Sequence, residues 1–136
     1  MAYYLAKSEP LTYSIDDLER DKRTSWDGVT NAQAVRAIRD MRPGDRVFIY
    51  HSGGVSAVVG LAKVCSTPKD DPKNPKSAIV ELEFSGKLPE PVTLAEIKQS
   101  KKFEEWALVR QSRLSTMSVP DSFVEWIRAR FPKVKL

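Results

Sequence analysis

Two apolar runs separated by a short, glycine-bearing gap set the first constraint on this chain. RVFIYHS (Arg46–Ser52) alternates Val47, Ile49 and His51 with Phe48, Tyr50 and Ser52. That period of two sends successive side chains to opposite faces of a strand. Gly53 and Gly54 break the run, and AVVGLAKVC (Ala57–Cys65) resumes as a second β-rich stretch. A gap this short predicts a hairpin. Gly60, inside the second run, marks a bulge or a close backbone approach.

The remaining elements follow from the same kind of signal. AIVELEF (Ala78–Phe84) is the strongest strand, with Val80, Leu82 and Phe84 on one face and Glu81 and Glu83 on the other. YYLAKS (Tyr3–Ser8) reads as a buried strand that stops at Pro10. Ser14 caps a short helix over SIDDLERD, with Asp17 three residues on. Thr30 or Asn31 caps the clearest helix, NAQAVRAIRDM, whose Ala34, Ile38 and Met41 share a face while Arg36, Arg39 and Arg42 form a basic row. Pro43-Gly44 ends it. Thr93 and Glu96 make a capping box for TLAEIKQS, and KKFEEWALVR is expected to continue it for a turn. The last helix is VPDSFVEWIRARF, with Pro120 in its first turn and Phe123, Trp126, Ile127 and either Arg130 or Phe131 along its core stripe. Asp27-Gly28 reads as a turn holding Trp26, STPKDDPKNPKS (66–77) as an exposed loop, and SGKLPEP (85–91) as a strand break.

Strands and helices therefore mix without β–α–β alternation. The pattern predicts an α+β domain around a small, mostly antiparallel sheet curled into a barrel. At 136 residues, with 41% hydrophobic and 29% charged, the chain suits one domain with one core. No repeat or internal boundary is visible. The net charge of +4 permits contact with nucleic acid without making the chain a charge-driven coat.

Several chemistries are excluded. One cysteine, Cys65, allows no internal disulfide, and with one histidine, His51, it cannot build a structural zinc site. No metal or cofactor is expected. There is no G-x-S-x-G and no phosphate loop. Ser52 follows His51 in one strand and faces the other way, so no Ser–His pair forms locally. Lys7 and Glu9 are the one local acid–base pair. The start of the chain lacks a signal peptide's basic n-region and apolar core, and no run approaches a membrane span. The expectation is a cytoplasmic protein with no membrane partner.

LVRQSRLSTMSV (Leu108–Val119) sets Arg110, Gln111, Ser112 and Arg113 between apolar anchors. Beside Trp26, Tyr50 and Ser8, these are groups a nucleobase needs: an aromatic face to stack on, neutral hydrogen-bonding groups for its edge, and arginines for phosphate.

K-S-E-P (Lys7–Pro10), W-D-G-V-x-N (Trp26–Asn31), Y-H-S (Tyr50–Ser52) and R-Q-S-R-L-S (Arg110–Ser115) occur in an order and spacing that resembles the EVE domain family. The resemblance runs from about Tyr3 to Ile127. It implies a PUA-like fold, related to YTH and ASCH domains, with a curled barrel and flanking helices. It implies a non-catalytic reader that inserts one modified cytosine or adenine of DNA or RNA into an aromatic-lined pocket. That pocket would be built from Lys7, Ser8, Glu9, Trp26, Asn31, Tyr50, His51, Ser52, Gln111, Ser112, Leu114 and Ser115. Trp26 would stack, Ser8, Asn31 and Ser112 would read the base edge, and Arg110, Arg113, Arg36 and Arg39 would meet phosphate. Leu114 and Met117 would anchor the polar run to the core. The chain departs from the family pattern N-Y-Q-A-R-N, carrying Ala32 and Val35 where tyrosine and arginine are usual. The alternative is a small ASCH-like amidohydrolase acting on a modified nucleoside, using Lys7 and Glu9. No effector protein is indicated.

Overall fold

The computed structural model describes all 136 residues. Seven strands and five helices follow in the order β1 (Tyr3–Ser8), α1 (Ile15–Asp21), β2 (Arg23–Trp26), α2 (Ala32–Asp40), β3 (Arg46–His51), β4 (Ala57–Val64), β5 (Lys69–Asp71), β6 (Asn74–Thr93), α3 (Leu94–Gln99), α4 (Ala107–Arg110), β7 (Thr116–Ser118) and α5 (Asp121–Arg130). The strands form one curled sheet in the order β2-β6-β4-β3-β1-β7, with β5 added beside β6. The path is open, so the expected barrel is a half-barrel with helices against it. All neighbours are antiparallel except β1 and β3, which run parallel because α1, β2 and α2 intervene between them.

The β3–β4 hairpin forms as its sequence predicts, with Arg46 opposite Lys63 and His51 opposite Ala57. Both faces of β3 are covered: Val47, Phe48, Ile49 and Tyr50 are all buried. Gly60 sits at register shifts in both of its ladders. A Cβ there would lie 2.7 Å from the Gly86 carbonyl oxygen and 2.7 Å from Ile15 Cδ1. The first of these neighbours is backbone and cannot rotate away. Gly60→Ala is expected to cost about 1–3 kcal/mol as an overpacked site. Urea denaturation checks this, and an unchanged midpoint would show that the sheet absorbs the methyl group.

Three segments besides β2 differ from the sequence expectation. The Pro- and Lys-rich stretch 66–77 is not a loop throughout: β5 and the start of β6 pair across it, Lys69 opposite Ile79 and Asp70 opposite Ala78. SGKLPEP does not break the strand, because β6 continues to Thr93. Its pairing jumps from Lys87 opposite Gly60 to Val92 opposite Val58, and Pro89 and Pro91 fall inside that bulge, where no ladder N–H is required of them. KKFEEWALVR does not extend α3; α4 is a separate turn of helix starting at Ala107.

The caps hold closely. Ser14 and Thr93 both close capping boxes, and Asn31, rather than Thr30, caps α2. Pro120 occupies the N-cap of α5 rather than its first turn. The α5 stripe enters an aromatic cluster in which Phe123 meets Phe48, Phe103, Trp106 and Trp126. No helix is long and apolar enough to cross a membrane.

Candidate functional site

Trp26 is not in a turn. It ends β2, an edge strand held to β6 by the pairing of Trp26 with Val80. The polar RTSW sequence forms this strand because β6 offers a free edge. The chain then turns through Asp27 and Gly28, whose φ of +74° places it in the left-handed region that favours glycine. Val29 is buried, and its carbonyl oxygen accepts the Ser77 hydroxyl of β6. Asn31 then caps α2, its Oδ1 accepting from Gln33 N at 2.9 Å and Ala34 N at 3.1 Å.

This Trp26–Asn31 loop forms one wall of an open cavity of about 680 Å³. That lies within the range of small-molecule sites. Lys7, Ser8 and Glu9 at the end of β1 form a second wall, with Thr12 and Tyr13 following them. Arg113 and Ser115 complete it. The Ser115 carbonyl accepts from Lys7 N at 2.8 Å, which ties that loop to β1. Ser8 Oγ donates to the Tyr13 carbonyl and fixes the turn after β1.

Lys7 is the half-buried cation of the site. Its Nζ donates to the Ser112 carbonyl at 3.0 Å and lies 5.5 Å from the centre of the Tyr50 ring. It makes no ion pair with Glu9. Burial without a carboxylate holds its pKa below the ordinary lysine value. A donor so placed can hydrogen-bond a carbonyl or ring nitrogen of a bound base. Glu9 and Asp27 add carboxylate acceptors for an exocyclic amine, and the Asn31 amide keeps its NH₂ free to donate.

The structure thus brings Lys7, Ser8, Glu9, Trp26, Asn31, Arg113 and Ser115 of the expected set to one cavity. It does not bring the others. Tyr50 is 3% exposed and supports Lys7 from behind instead of lining the wall. Leu114 is buried in the core, as is Met117. Gln111 and Ser112 are exposed outside the cavity, and Ser112 contributes only its carbonyl, to Lys7. Arg110 turns away to Glu105 at 2.6 Å. Ser52 pairs through its backbone with Ser8. Arg39 is committed to Asp70 at 2.7 Å and to the Ser77 carbonyl, whereas Arg36 is exposed and unpaired. Sequence reasoning missed Thr12, Tyr13, Thr24, Ser25 and Thr30, and it took only Trp26 and Asn31 from W-D-G-V-x-N, leaving out Asp27, Gly28 and Val29 between them. The Tyr13 ring next to a helix cap was the one signal available for this group.

His51 serves the fold. Its Nε2 accepts the N–H of Ile15 at 3.0 Å, satisfying a donor of the first turn of α1. Burial pushes the imidazole pKa down, against the opposing pull of Asp16 and Glu9. The unfolded chain therefore takes up the proton first. This contribution to stability is complete above about pH 6.5, the unfolded value, and is lost as pH falls toward the lower folded value. Thermal unfolding between pH 8 and 5.5 is expected to show a falling midpoint whose slope is reduced in His51→Gln. An identical slope in both proteins would remove His51 from the account.

The fold is a curled, mostly antiparallel half-barrel with flanking helices, the PUA-like architecture that the family resemblance implies, and it carries a tryptophan-walled cavity at the end of its edge strand. The EVE domain family model matches residues 2–130, and the chain belongs to that family. Human thymocyte nuclear protein 1 is 30% identical over 125 aligned residues, covering 71% of this chain and 56% of the relative. The chain thus spans about half the length of the curated relatives it matches. The crystal structure of that human protein, in complex with DNA containing 5-methylcytosine, superposes with a TM-score of 0.87 at 24% identity, over 99% of this chain and 100% of the other. A Rhodopseudomonas palustris protein gives 0.90 at 31% identity, over 100% and 97%. A Zymomonas mobilis ASCH protein gives 0.61 at 12% identity, over 95% and 98%, a likeness of fold.

Proposed function

We propose that this chain binds nucleic acid and reads a modified base, with a modified cytosine as the first candidate. The carrying observation is the cavity itself: a half-buried tryptophan wall, a lysine donor with no carboxylate partner, and carboxylate and amide groups around a space of about 680 Å³. The related human protein's complex with 5-methylcytosine DNA supports the same reading and directs the choice of base. In this reading Trp26 stacks on the inserted base, Lys7 and the Asn31 amide donate to its edge, and Glu9 or Asp27 accepts from its amine. Arg113 meets the adjoining phosphate. No step of covalent chemistry is required, and the role is binding.

The test is a titration against short single- and double-stranded oligonucleotides, unmodified or carrying 5-methylcytosine, 5-hydroxymethylcytosine or N6-methyladenine. A preference for one modified base is expected. Uniform, salt-sensitive binding to every oligonucleotide would reduce the protein to a weak basic surface.

The second reading, an amidohydrolase of modified nucleosides, rests on Lys7. Its lowered pKa and its position in the cavity suit a proton acceptor. Turnover of an acylated cytidine that vanishes in Lys7→Ala would favour it over the reader.

A further inference from the structure

The charges around the cavity are arranged unevenly. On one side lie α2 and the β5–β6 hairpin. Residues 32–42 and 69–77 carry Arg36, Arg39, Arg42, Lys69, Lys73 and Lys76 against Asp40, Asp70 and Asp71. Asp70 is taken by Arg39. Arg36, Lys69, Lys73 and Lys76 are exposed and form no ion pair. On the other side α1 carries Asp16, Asp17, Glu19 and Asp21. The cations there are spent on these acids and their neighbours: Arg20 on Asp17 and Asp21, Lys87 on Asp16 and Glu19, and Arg23 on Glu83. Lys22 is the one left unpaired.

The basic side is physically joined to the cavity. Asn31, a wall residue, is the N-cap of α2. Val29, another wall residue, accepts the Ser77 hydroxyl, and the Ser77 carbonyl accepts Arg39 Nη2 at 3.1 Å. From Ser77 the hairpin runs out to its turn at Lys73, about 13 Å away at the rise of a strand. That length is the reach of a few nucleotides of single strand. Arg39, by holding both Asp70 and Ser77, fixes the hairpin to α2 and removes a carboxylate that would otherwise repel phosphate.

We propose that the nucleic-acid backbone leaves the cavity in one direction only, across the N-terminal half of α2 and along the β5–β6 hairpin, with Arg36, Lys73 and Lys76 as its phosphate contacts beyond the one that Arg113 makes at the cavity wall. This rests on the nucleic-acid reading above and adds to it a one-sided track. The ligand class is the phosphodiester backbone of a single strand, and its recognition is electrostatic. The α1 side offers no equivalent run of free cations, so nucleotides beyond the base on that side add little.

Two measurements test this, both by fluorescence anisotropy of single strands. In the first, one 5-methylcytosine is placed near the 5′ end, at the centre, or near the 3′ end of an oligonucleotide of fixed length. One end position is expected to weaken binding about tenfold, and the other to match the centre within about twofold. Equal weakening at both ends would overturn the track. In the second, the salt dependence on an unmodified strand is compared between Arg36→Ala/Lys73→Ala/Lys76→Ala and the charge-matched Lys98→Ala/Lys102→Ala/Lys133→Ala, whose sites lie outside the cavity. The slope of log K against log salt is expected to fall by about 0.7 for each phosphate that the first variant no longer neutralises, and to hold in the second. Equal slopes in the two variants would overturn the proposal. The second measurement uses no modified base, so it reads the track even where base preference fails.

Discussion

Alanine at position 26 is expected to remove base-dependent binding while the protein stays folded. Trp26 is half-buried, and its indole closes one wall of the cavity at the end of an edge strand. Stacking of a base on an aromatic side chain is worth roughly 1–3 kcal/mol by alanine substitution. Affinity for the modified strand should therefore fall by about 5- to 150-fold. The residual, salt-dependent binding should remain, because the phosphate-facing cations are untouched. Stability should fall by less than the roughly 3–5 kcal/mol of a fully buried tryptophan, since the side chain is only partly buried where it packs against the core. The Val80 pairing that holds β2 is backbone and survives the substitution. Trp26→Phe keeps an aromatic face and should recover part of the affinity. Titration and thermal unfolding on the same preparations decide the matter. Loss of fold in Trp26→Ala would assign the indole to the core, and unchanged base preference would remove it from the site.

How far the sequence carried this site depended on whether local pattern or long-range pairing placed each residue. AIVELEF and the Arg46–Cys65 hairpin were legible because alternation and turn chemistry act within a few residues. The capping boxes at Ser14 and Thr93 were legible for the same reason. β2 was not, since RTSW has no apolar alternation and becomes a strand only against the edge of β6. The prolines of β6 signalled a break, and only the bulge opposite Val58 and Gly60 explains why the strand continues. Within the site, motif membership did not distinguish wall from support. Lys7 and Tyr50 are register partners on parallel strands, which stacks the lysine over the ring and leaves Tyr50 hidden behind it. His51, one residue on, alternates to the opposite face and meets α1. In R-Q-S-R-L-S, the short helix α4 ends at Arg110 and turns it toward Glu105, so that only Arg113 and Ser115 reach the cavity. Those directions are set by strand register and helix phase, which a motif does not encode.

Phe123→Ala is expected to separate stability from recognition in the opposite sense to Trp26→Ala. Phe123 is fully buried at the centre of the aromatic cluster. Its ring centre lies 4.7 Å from that of Trp106, 5.3 Å from Phe103, 5.5 Å from Phe48 and 5.8 Å from Trp126. The Phe48 and Phe103 pairs are edge-on, the arrangement the ring quadrupole favours. Removing the ring forfeits its transfer free energy and leaves a cavity that four rigid rings close poorly. The expected cost is about 3–5 kcal/mol, a large part of the roughly 5–15 kcal/mol that holds a domain folded. The denaturation midpoint should drop with little change in the denaturant slope, since the same surface is exposed on unfolding. Phe123→Leu refills part of the space and should be less destabilising. None of these rings lines the base-sized cavity. The folded fraction of Phe123→Ala should therefore keep the base preference of the parent protein when titrated well below its unfolding temperature. A variant that stays folded but shows no base preference would mean that the aromatic cluster on α5 sets the geometry of the Lys7 strand, because Phe48 lies on β3, the parallel neighbour of β1.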